Sequence, residues 1–117
     1  MRLNEIRFSD ALPIDGYGPG FFRVGGQAME GALLVSPAGA EPWGGLEDAA
    51  LVLRHAALID VVFIGTGKEP AHLPAAFRAA LEEAGLGVES MASPAACRTY
   101  NVLLSEGRRV AVAVLPV

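Results

Sequence analysis

The run Asp60-Val61-Val62-Phe63-Ile64, closed by Gly65-Thr66-Gly67, constrains this chain more than any other stretch. Its apolar residues are mostly β-branched and do not alternate with polar ones, so both faces of the strand they form must be covered. That is how a buried parallel strand reads. A parallel neighbour needs a crossover connection, and both sides of the sheet then need a layer packed on them.

The flanking segments supply those layers. Leu46, Ala49, Ala50, Leu53 and Ala57 recur at helical spacing, with Glu47 and Asp48 in the first turn, where the helix dipole favours acids. Pro74 starts a second helix whose Phe77, Leu81 and Ala84 share a face, and Gly85 stands where a helix ends in a left-handed residue. Leu86 to Met91 reads as the next strand. Ser93-Pro94 then provides an N-cap and a first-turn proline for a helix to about Glu106, stopped by Gly107. Val110 to Leu115 is a last apolar strand.

The first part of the chain, to about Trp43, is β-like and rich in turns. Phe21-Phe22-Arg23-Val24 and the run Gln27 to Ser36 flank Gly25-Gly26, a hairpin signal. Asp15 to Gly20 and Pro37 to Gly45 read as loops, because glycine and proline interrupt both. The expected architecture is a compact three-layer α/β domain over residues 1–117, with a mixed sheet and a β-hairpin extension from the N-terminal half.

Composition narrows the function classes. With 52% hydrophobic and 19% charged residues, the chain is no disordered tail. Aromatics are only 7%, so the core must be built mainly from Ala, Val, Leu and Ile. The net charge of −4 comes without a basic stripe, which argues against nucleic acid. Its longest apolar stretches fall far short of the roughly 20 residues a spanning helix needs. Met1 to Ile6 mixes charged and apolar residues, so no leader is expected, and the lone Cys97 cannot form an internal disulfide. A cytoplasmic setting follows as the expectation.

Candidate chemistry collects at the strand tips. Ligands of open α/β sheets bind outside the carboxyl ends of parallel strands. If the strands ending at Ile64 and Met91 are neighbours, Gly65, Thr66 and Gly67 meet Ser93, and Arg98 stands one turn into the helix. A small anion or carboxylate would suit that edge; a tight glycine turn beside a capping serine is the plainer reading. Arg98, Asn101 and Ser105 form a polar stripe, while Tyr100 and Leu104 share another face. Glu89, on an otherwise apolar strand, needs a partner if buried, and Arg98 is the natural one. The same residues could instead line a pocket or a partner surface. Cys97 near a helix start, with His72 after the neighbouring strand, is a third candidate, against a plain buried thiol. His55 and His72 do not make a metal set, and no cofactor is implied.

The C-terminal motifs are more specific. Glu89-Ser90-Met91, Ala96-Cys97-Arg98-Thr99-Tyr100-Asn101-Val102-Leu103 and Glu106-Gly107-Arg108-Arg109-Val110 resemble the signature of the Mth-type domain family. The likeness continues through Gly65-Thr66-Gly67, Trp43, Gly31 and Tyr17-Gly18-Pro19-Gly20-Phe21. That family, of long-unassigned function, includes stand-alone bacterial and archaeal proteins and the mitochondrial NADH:ubiquinone oxidoreductase complex I assembly factor 3. This chain looks like a bacterial member. It departs at Met91-Ala92-Ser93, where many relatives resemble Met-Asp-Thr, so Ala92 lacks their carboxylate. The resemblance implies a non-enzymatic interaction protein whose partners are respiratory-complex subunits or assembly factors. A weak homodimer through an exposed edge such as Gln27 to Ser36 is a further expectation.

Overall fold

The computed structural model describes residues 12–117. The Met1 to Ile6 segment lies outside the described residues. Among the described residues there are eight strands: β1 (Ile14–Gly18), β2 (Phe21–Val24), β3 (Gln27–Glu30), β4 (Leu33–Ser36), β5 (Gly39–Pro42), β6 (Val61–Gly65), β7 (Gly87–Met91) and β8 (Val110–Val114). Three α-helices are interleaved with these described strands: α1 (Ala49–Arg54), α2 (Ala75–Glu83) and α3 (Ser93–Ser105). The strands β1-β2-β3 make a small antiparallel sheet, and the main sheet has the order β5-β4-β8-β6-β7.

The apolar run at Val61–Gly65 sits inside the main sheet, parallel to both β7 and β8. β4 and β5 join on antiparallel, so the sheet is mixed as expected. Side chains alternate across it. Phe63, Val110, Val112 and Val114 share one core with Phe22, Val24, Ala96, Cys97 and Tyr100. Val62, Ile64, Ala111 and Ala113 face the other, with Trp43, Leu51, Val52, Phe77 and Leu81. The three layers are therefore α1 and α2, the main sheet, and α3 beside the small sheet.

Four expectations need correction. Asp15 to Gly18 is part of a strand, because β2 supplies its ladder and the Asp15 carboxylate accepts the Gly26 N–H at 3.0 Å, tying β1 to the hairpin turn. Gly39 to Pro42 is likewise a strand, paired with β4. Gln27 to Ser36 is two strands in two sheets, split at Gly31, whose φ of 83° only glycine adopts readily. Of that run only β3 is an edge, since β4 is buried between β5 and β8. The first helix is also shorter than its apolar spacing suggests. It stops at Arg54 and a 3-10 turn over Ala56–Leu58 follows. Asp48 is its N-cap, accepting from the Leu51 N–H at 3.2 Å.

Candidate functional site

The strand tips come together as the topology requires. Gly65, Thr66 and Gly67 end β6 beside the start of α3, yet their polar groups are bonded to one another. Ser93 does not cap its helix. Its buried hydroxyl accepts the Gly67 N–H at 2.9 Å and donates to the Leu115 carbonyl at 2.7 Å, while its own N–H donates to the Gly67 carbonyl at 2.8 Å. Thr66 donates its hydroxyl to the Glu69 carbonyl at 2.8 Å, and its N–H to the Met91 carbonyl at 2.9 Å. Gly65 has no room for a side chain. A Cβ there would lie 2.7 Å from Ser93 Oγ and 2.8 Å from Ser93 Cα. Ala92 occupies the cap position without a side-chain bond. The arrangement is a lock that pins α3 to the ends of β6 and β8.

Tyr100 and Asn101 lie farther along α3 and turn toward β1. The fully buried Tyr100 donates its hydroxyl to the Leu12 carbonyl at 2.8 Å. Asn101 bonds both backbone groups of Ile14, receiving its N–H and donating to its carbonyl, each at 2.9 Å. Burial pushes the Tyr100 phenol above its ordinary range, so it stays a neutral donor. The sequence places Asn101 on a polar stripe with Arg98 and Ser105, but does not show that it turns to β1. Its partner is 87 residues away in sequence, beyond the reach of any local pattern.

Glu89 and Arg98 are both exposed and are not paired with each other, so neither needs the other for burial. Arg98, Thr99, Val102 and Leu103 line a shallow hollow of about 450 Å³ on the outer side of α3. Val102 is 55% exposed. Its position four residues after Arg98 was the available signal, since the two share one row of the helix.

Cys97 is packed with Tyr100 in the core. Burial pushes its thiol up to about 12, against a lowering by the neighbouring Arg98 charge. A thiol that holds its proton so tightly is a poor nucleophile at neutral pH. His72 is exposed, and His55 Nε2 lies 2.7 Å from Glu41 Oε2 in a contact that ties α1 to β5. Among the described residues, no group of three or more His, Cys, Asp or Glu could hold a metal ion.

Residues 14–115 match the family described as a protein of unknown function, DUF498/DUF598. The chain belongs to this family. An uncharacterized protein of Rhodobacter capsulatus is 47% identical over 99% of this chain and 94% of its own length. The rat NADH dehydrogenase [ubiquinone] 1 alpha subcomplex assembly factor 3 is 28% identical over 97% of this chain, which spans only 65% of that protein. Among solved structures, a Bartonella henselae protein described as an outer membrane protein superposes with a TM-score of 0.85 at 36% identity, covering 93% of this chain and 98% of that one. A Bordetella pertussis protein described as a Mth938-like domain gives 0.74 at 30% identity, covering 90% and 85%. Among the described residues, no helix is long and apolar enough to cross a membrane.

Proposed function

We propose that this member of the DUF498/DUF598 family is a non-enzymatic interaction protein, acting in the cytoplasm in the assembly or maturation of a respiratory membrane complex. The observation that carries this reading is the division of labour within the segment Arg98 to Leu103. Tyr100 and Asn101 are occupied with β1, whereas Arg98, Thr99, Val102 and Leu103 leave a shallow apolar hollow with a cationic rim open to solvent. An apolar side chain beside a carboxylate, as on an amphipathic partner helix, is the chemistry that fits there. The name of the rat relative supports a respiratory-complex partner.

A small-anion site at Gly65, Thr66, Gly67 and Ser93 is the alternative, with Arg98 as its charged neighbour. It would have to use the Gly67 and Ser93 N–H groups and the Ser93 and Thr66 hydroxyls, all already bonded within the protein. The interaction reading needs no such bond broken. Deleting the gene in the native host and measuring NADH:quinone activity of the membranes tests it. Loss of assembled complex I, restored by the wild-type gene, is expected; unchanged complex I overturns the assembly role.

A further inference from the structure

The small sheet carries an edge that no described residue covers. Gly25 and Gly26, with φ of 59° and 80°, form a two-residue turn between β2 and β3. In such a hairpin the closing pair, Val24 and Gln27, exchanges hydrogen bonds and every second pair does likewise. The Gly31 N–H donating to the Gly20 carbonyl at 2.9 Å fixes the same phase. The intervening residues of β3, Ala28 and Glu30, therefore aim their backbone N–H and C=O groups outward. No described residue bonds to them.

The side chains of this edge have a definite charge pattern. Register places Phe21 opposite Glu30 and Arg23 opposite Ala28, all on the face turned away from the core that holds Phe22 and Val24. These four residues, with Pro19 and Pro116, line a hollow of about 860 Å³. Arg23, Ala28 and Glu30 are exposed, and no described ion pair joins Arg23 to Glu30.

We infer that β3 pairs antiparallel with β3 of a second copy of this chain about a two-fold axis at Met29, making one six-stranded sheet. Ala28 of each copy then faces Glu30 of the other, and both pairs exchange backbone hydrogen bonds. Arg23, one strand farther back, comes onto the same rung as the partner's Glu30. Two inter-strand steps separate them, about 10 Å between Cα atoms. Only the Ala28 methyl stands between, so an extended guanidinium reaches across it to the carboxylate. A two-fold interface must be self-complementary, and an Arg23–Glu30 pair on each side satisfies that condition. The short, charged strand disfavours indiscriminate pairing while fitting its own copy. This surface belongs to the small sheet and is independent of the α3 hollow.

Sedimentation velocity over a range of concentrations tests the inference. The wild-type chain should show a monomer–dimer equilibrium. Arg23→Glu alone and Glu30→Arg alone should each weaken it by about tenfold or more, since two like-charge contacts arise per dimer. The double variant Arg23→Glu with Glu30→Arg should restore it. Ala28→Pro, which removes an outward N–H without touching the β2 ladder, should give monomer with unchanged circular dichroism. A wild-type chain that stays monomeric at every concentration overturns the proposal. So does a dimer indifferent to the single reversals, or one that the double exchange fails to rescue.

Discussion

The side-chain amide of Asn101 pairs with the backbone of Ile14 as a neighbouring strand would, giving and receiving one hydrogen bond at 2.9 Å each. A helix residue thus closes the outer edge of β1. Tyr100, next in the chain, secures the Leu12 carbonyl from the same helix. The small sheet is held on α3 by these bonds and by the shared apolar core.

Replacing Asn101 by Leu should leave both Ile14 backbone groups without partners in a half-buried site. We expect a loss of about 1–3 kcal/mol in denaturant unfolding. Hydrogen exchange at the Ile14 amide should rise more than at β6 amides, because β1 loosens before the main sheet does. Equal acceleration throughout would contradict the clamp.

At the lock between β6 and α3, Gly65→Ala should be strongly destabilising. Its Cβ would lie 2.8 Å from the backbone of Ser93, which cannot yield without moving the helix. A cost of about 1–3 kcal/mol is expected from overpacking. Gly16→Ala is the control, since nothing lies within 4 Å of the added carbon. Ser93→Ala should approach the Gly65 value by orphaning the Gly67 N–H and the Leu115 carbonyl. Thermal melts of the three variants decide this.

Alkaline pH should destabilise the protein in a defined window. Burial raises the Cys97 thiol from about 9.0 to about 12 in the folded chain. Above pH 9 the unfolded chain releases this proton and the folded chain keeps it, so the unfolded state binds fewer protons and stability falls as pH rises. The contribution is fully present below the unfolded value and is lost as pH climbs toward the folded one. Tyr100 acts in the same sense from its own, higher starting point. Cys97→Ala should flatten the decline; an unchanged slope in stability against pH would show that the thiol is not the source. At neutral pH a thiol reagent should label native Cys97 slowly and unfolded Cys97 at once.

What the chain announced locally, the structure contains. The Val61–Ile64 run, Gly85 after α2, Pro94 in the first turn of α3 and Gly25-Gly26 all act within a few residues of themselves. β1 and β5 were hidden because Gly16, Gly18, Gly39 and Pro42 disfavour strands on their own, and the pairing that overrides this comes from β2 and β4. Ser93 looked like a cap because Ser-Pro is a common helix opening. Its bonds to Gly67 and Leu115 span 26 and 22 residues, and only the assembled sheet brings those groups to it. The candidate site was legible as far as Arg98. Val102 and Leu103 required knowing which side of α3 the small sheet leaves bare.

The proposed interaction role turns on the outer side of α3, and quantitative co-purification from the native host tests it most directly. Tagged wild-type protein should retain respiratory complex I subunits or their assembly proteins. Val102→Glu and Arg98→Glu alter exposed side chains and should leave the melting temperature nearly unchanged, within about 0.5 kcal/mol of stability. Both variants should lose those partners while keeping the fold. Retention of the same partners at wild-type levels by both folded variants would contradict the account.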